Sequence, residues 1–138
     1  MKSIVAEKVE LKIPFFDCDA MAICWHGHYV KYFELARCEL FDKIDYGYRS
    51  MRDSGYSWPI IDLQIRYIQP MQYEQNIVIE AGIVDFENYL KIKYEIYDQI
   101  TEQRLTRGTS KQVAITIVGS EMQLISPAIL RDKLADYL

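Results

Sequence analysis

The sequence predicts an α+β domain in which an antiparallel sheet of about five strands packs on one long helix. Residues 28 to 45 repeat their apolar side chains at helical spacing. Before them lies one run with a period of two. After Pro59 four more β-rich runs follow, separated by breaks short enough for antiparallel neighbours.

In the first strand Val9, Leu11, Ile13 and Phe15 alternate with Lys8, Glu10 and Lys12, which leaves one face for a core. Pro14 lies near its end, where a missing donor is tolerated. In the helix Val30, Phe33, Leu40, Phe41 and Ile44 form the apolar stripe, with Lys31, Glu34, Cys38, Asp42 and Asp45 opposite. Glu39 and Lys43 stand four apart in the favourable order, and Gly47 supplies a stop signal. Residues 46 to 58, rich in Gly, Ser and aromatics, read as a covering loop with one helical turn. PIIDLQIRYIQ, NIVIEAGIVDF, YLKIKYEIYD and RLTRGTSKQVAITIV then read as strands. In the third of these, Leu90, Ile92, Tyr94 and Ile96 alternate with Lys91, Lys93 and Glu95, so one face meets a core and the other water. Ser126 and Pro127 supply an N-cap and a first-turn proline for a final helix, PAILRDKLADYL. With no internal repeat or linker, residues 1–138 are expected to form a single domain.

Half of the 138 residues are hydrophobic and 26% are charged, the balance of a chain that folds around one core. Sixteen basic against 20 acidic residues leave a net charge of −4, so no general basic surface is offered to nucleic acid and a phosphate must find a local patch. No run approaches the roughly 18 apolar residues of a membrane span, and the N-terminus lacks an apolar signal core. A cytoplasmic protein is expected. Cys18, Cys24 and Cys38, an odd and closely spaced set, read as reduced thiols.

The chemistry concentrates in FFDCDAMAICWHGHY, residues 15 to 29. Asp17, Cys18, Cys24, His26 and His28 are all zinc-ligand types, but they include the chain's only two histidines, and H-x-H at a helix start is a poor ligand spacing. Cys24, between Ile23 and Trp25, sits in an apolar context that raises a thiol pKa, which favours a small core residue over a nucleophile. Asp17 and Asp19, two apart, project to opposite sides of an extended chain; one can stabilise the loop while the other faces a cleft as base or nucleophile. The helix start adds free N–H groups and a positive dipole end where an oxyanion can develop. A purely structural reading also stands, with Asp17 as a turn former, both histidines as satisfied polar residues, and Trp25 and Tyr29 in the core.

The run from Asp17 to Tyr29 (DCDAMAICWHGHY), followed by YFELAR, resembles the signature of hotdog-fold acyl-CoA thioesterases. More narrowly, it is similar to the branch of 4-hydroxybenzoyl-CoA thioesterase and the Tol-Pal-associated thioesterases. A second stretch, PIIDLQIRYIQPMQYEQNIVIE, is similar to that family's strand pair, and the resemblance spans nearly the whole chain. It implies a hotdog fold, with Asp19 as the catalytic carboxylate and the His26 backbone N–H on the thioester oxygen. It also implies a homodimer or homotetramer with the site between subunits. Trp25, Tyr29, Trp58 and Ile60 are then candidates for the acyl wall, and no metal or redox cofactor is expected. Arg66, Arg104, Arg107 and Lys111 are the basic residues available on the sheet for a CoA phosphate. Glu34, three from both Lys31 and Arg37, reads as an ion-pair partner. The chain departs from the family pattern at Ala22, where glycine is usual, and at His28, where Asn or Ser is common. The expected reaction is hydrolysis of a small or medium acyl-CoA. Hydrolysis of acyl carrier protein thioesters and silent acyl-CoA binding are the alternatives.

Overall fold

The structure, a computed structural model, describes residues 2–138. The chain runs β1 (Val5–Lys12), α1 (Tyr29–Lys43), α2 (Tyr48–Asp53), β2 (Tyr56–Ser57), β3 (Ile60–Tyr67), β4 (Asn76–Asp85), β5 (Leu90–Asp98), β6 (Arg104–Gln112), β7 (Ile115–Thr116) and α3 (Ala128–Leu134). Five strands form one sheet in the order β1-β4-β5-β6-β3, antiparallel at every pairing, and α1 packs across β1 and β4.

The sequence periods explain this packing. Leu90, Ile92, Tyr94 and Ile96 of β5 are buried, as are Ile77, Ile79, Ala81 and Ile83 of β4. They meet Phe33, Ala36, Leu40 and Phe41 of α1, while Lys31, Glu34, Cys38 and Asp42 are exposed. Phe33 stacks on Tyr94 with ring centroids 4.4 Å apart. Gly108 of β6 permits that approach, because a Cβ there would lie 2.7 Å from the Phe33 ring and 2.6 Å from the Gln64 carbonyl oxygen.

Several local expectations give way to tertiary contacts. The left-handed residue after α1 is Asp45 (φ 56°), whereas Gly47 is extended and precedes α2. Lys43 donates to the Ala6 carbonyl at 2.8 Å, tying the end of α1 to β1; no ion pair to Glu39 forms among the described residues. Ser126 makes no capping bond, and the N-cap position of α3 falls on Pro127. Phe15 leaves the strand pattern for a 3-10 turn and is 73% exposed. The run RLTRGTSKQVAITIV divides after Gln112, whose Nε2 donates to the Trp58 carbonyl at 2.6 Å; β7 then pairs with β2 within the covering segment.

Candidate active site

Between β1 and α1 the loop folds back on itself. The Trp25 N–H donates to the Asp17 carbonyl at 2.9 Å and the Cys24 N–H to the Met71 carbonyl at 2.7 Å, and the backbones of Cys18 and Cys24, both free thiols, pair as an isolated antiparallel β-bridge. At the tip the Asp19 N–H donates to the Ile23 carbonyl (2.9 Å) and the Ala22 N–H to the Asp19 carbonyl (3.0 Å). The turn holds Ala22 at φ 59°, the left-handed region that its glycine-to-alanine departure brings into question. Ala22→Gly is expected to be neutral or stabilising by up to about 1 kcal/mol, since relief of strain exceeds or matches the added chain entropy. Ala22→Val is expected to cost about 1–2 kcal/mol. Urea unfolding of the two variants checks this, and equal midpoints would show that the turn places no demand on residue 22.

The two aspartates have separate environments. Asp17 is 2% exposed; its Oδ1 accepts from Lys31 Nζ at 2.7 Å and its Oδ2 from the Tyr32 hydroxyl at 2.6 Å, with His28 Nε2 3.7 Å from Oδ1. Burial alone would raise its pKa, but the bonds from Lys31 and Tyr32 outweigh this and hold it below the ordinary value. Asp19 is exposed. Its Oδ1 accepts from the N–H groups of Met21 (2.8 Å) and Ile23 (3.3 Å), while Oδ2 has no partner among the described residues.

Asp19 lines a cleft of about 320 Å³ with Ile23, Cys24, Trp25, His26, Tyr29 and residues 67–70. His26, a lining residue of this cleft, begins the 3-10 turn that leads into α1, and its N–H has no acceptor among the described residues. The Tyr67 hydroxyl donates to the His26 carbonyl at 3.2 Å and its ring meets Tyr29 edge-on at 4.7 Å, so the end of β3 braces the helix start. Gly27 lets the Trp25 ring lie over the backbone, because a Cβ there would lie 2.1 Å from the indole and displace it. Burial pushes the Cys24 thiol up to about 11 and the Tyr29 phenol up to about 12, so both are neutral near pH 7.

Of the residues singled out from sequence, the cleft collects Asp19, Trp25, His26 and Tyr29. Trp58 lies elsewhere, in a cavity of about 880 Å³ with Cys38, Phe41 and Met51, where its Nε1 donates to Tyr46. Ile60 begins β3 at the end remote from Tyr67, and Arg66 opens onto the solvent face of that strand. Glu34 pairs with Arg37, and Lys31 is drawn to Asp17 instead. Tyr67, Ile68, Gln69 and Pro70 were not anticipated; the signal for Tyr67 is its inward position in the β3 alternation.

A central helix packed on a five-stranded antiparallel sheet is the architecture expected of a hotdog domain. The sequence profile described as the thioesterase-like superfamily matches residues 13–132, and the chain belongs to that family. A Bacillus subtilis (strain 168) protein provisionally named an acyl-CoA thioesterase is 26% identical over 109 residues, 78% of each chain. Among solved structures, a 1,4-dihydroxy-2-naphthoyl-CoA thioesterase from Synechocystis superposes with a TM-score of 0.83 at 14% identity, over 96% of this chain and 97% of that one. The 4-hydroxybenzoyl-CoA thioesterase of Pseudomonas sp. strain CBS-3 gives 0.79 at 18% identity, over 93% and 98%. These structural likenesses establish the hotdog fold.

Proposed function

We propose that this thioester hydrolase cleaves a small or medium acyl-CoA to the free acid and CoA. The observation that supports the reading most directly is the shared cleft: Asp19, whose Oδ2 has no partner among the described residues, and His26, whose N–H has no acceptor among them, line the same cavity. The thioester oxygen accepts from the His26 N–H, which stabilises negative charge as the carbonyl carbon becomes tetrahedral. Asp19 Oδ2 either takes a proton from the attacking water or attacks the carbon itself. The C–S bond then breaks, CoA leaves as thiolate and is protonated, and in the second route water hydrolyses the aspartyl anhydride. Release of free thiol from a panel of acyl-CoAs, followed with a thiol-reactive dye, tests the reading; binding without release would favour a silent acyl-CoA-binding protein.

The site is proposed to be completed by a second copy. β3 is an edge strand with one unpaired side, and it exposes Ile61 (57%), Leu63 (37%) and Tyr67 (49%). Two such edges pairing antiparallel about a two-fold axis would extend the sheet and bring the Ile60 end of one β3 beside the Tyr67 end of the other. Ile60, about 23 Å along the strand from Tyr67 in its own chain, would thereby come beside the partner's cleft, with Trp58 two residues before it. Sedimentation velocity at micromolar concentration is expected to show a dimer or larger species, and Leu63→Lys is expected to shift it to monomer with loss of turnover. A wild-type monomer that is fully active would overturn the shared site.

A further inference from the structure

On the solvent face of the sheet a cross-strand row runs Lys8, Glu80, Glu95, Arg107, Arg66, each directly opposite the next. The first part of the row is internally balanced, with Lys8 3.8 Å from Glu80. Glu95 is shared by Lys93 at 3.3 Å and Arg104 at 3.4 Å. The row ends on two arginines facing each other across the β6–β3 pair, an arrangement that disfavours the folded sheet. Both are exposed, and neither makes an ion pair or hydrogen bond among the described residues.

These arginines, with Arg104, Lys93, Glu95, Gln64 and Thr109, line a groove of about 450 Å³. Four cations thus stand against one carboxylate in a chain whose net charge is −4. We infer that this groove is a binding site for a phosphate-bearing ligand, held between the guanidinium groups of Arg66 and Arg107. A phosphate accepts from both planar forks at once and turns a repulsive cross-strand pair into two charge-assisted contacts. Gln64 and Thr109 add neutral donors, and the volume suits a group of nucleotide size. Arg66, Arg104 and Arg107 are among the basic residues the sequence offers for a CoA phosphate. The fold gathers Arg66, Arg104 and Arg107 on one groove, adds Lys93, and places Lys111 elsewhere, over the Tyr89 ring.

The phosphate can come from CoA itself, a source that rests on the proposed function, or from a separate small phosphate ester. Calorimetric titration with adenosine 3′,5′-bisphosphate at low salt is expected to show binding that weakens as salt is raised. The double variant Arg66→Gln/Arg107→Gln is expected to bind about tenfold or more weakly, with a melting temperature at or above wild type because the like-charge pair is gone. No binding to the wild type at about 1 mM, or equal binding by the variant, overturns the site. If KM for acyl-CoA rises in step with the lost binding, CoA is the source; if KM stays constant, a separate phosphate ligand is. An inactive protein that still binds the bisphosphate through these arginines would remove the thioesterase reading and leave the groove.

Discussion

Asp19→Asn is expected to lower kcat for acyl-CoA hydrolysis by about 10²–10⁴-fold, with the chain folded and its melting temperature little changed. The size follows from what each carboxylate oxygen does. Oδ1 is the structural acceptor, taking the N–H groups of Met21 at 2.8 Å and Ile23 at 3.3 Å. An asparagine carbonyl oxygen keeps those bonds, so the turn survives. Oδ2 becomes an amide nitrogen, which can neither accept a proton nor attack a carbonyl. The loss should therefore fall on kcat while substrate still binds, a split that a misfolded loop would not produce. Thiol release by purified Asp19→Asn at the wild-type rate would remove Asp19 from the chemistry.

The elements were legible where a period or a break speaks for itself. Residues 28 to 45 yielded α1 within two residues at each end, because a one-sided apolar stripe has a single helical solution. The alternation from Leu90 to Ile96 likewise yielded the inner face of β5. The break after Gln112 was hidden because the buried face of β6 is polar: Thr106, Ser110 and Gln112 are buried beside Gly108, and the Ser110 and Tyr94 hydroxyls share a 2.8 Å bond. Hydropathy cannot register such a face. In the candidate site, spacing indicated that Asp17 and Asp19 have different environments. Assigning burial to Asp17 required Lys31 and Tyr32, which lie a full loop away in sequence. Tyr67 to Pro70 were illegible for the same reason, since only sheet pairing carries the end of β3 to the start of α1. The arginine pair is a matter of register, and a one-residue slip would send Arg66 to the other face.

Asp17→Ala is expected to produce the larger stability loss of the two aspartate variants, about 3 kcal/mol, or a fall of about 10 °C in melting temperature. The side chain is 3% exposed and accepts two short bonds, one from an ammonium and one from a hydroxyl. Removing it strands the Tyr32 hydroxyl in the core, where its remaining neighbour is the Cys24 thiol at 3.7 Å. The Lys31 contribution is discounted because that side chain is 47% exposed and can return to water. The pH dependence supplies an independent check. The pKa of Asp17 is lower in the folded chain than its ordinary 3.8, so the unfolded state binds its proton first as pH falls. Its stabilisation is complete above about pH 5 and is lost as pH drops through the folded-state value. The gap in stability between wild type and Asp17→Asn is therefore expected to be widest near neutral pH and to narrow below about pH 4. Asp98, drawn down to about 2 by bonds from Gln75 and the N–H groups of Thr101 and Ile100, adds acid sensitivity to both proteins alike and cancels in the difference. Urea unfolding of the pair from pH 3 to pH 7 measures that gap, and a constant difference across the range would show that Asp17 is not the charged anchor of the loop.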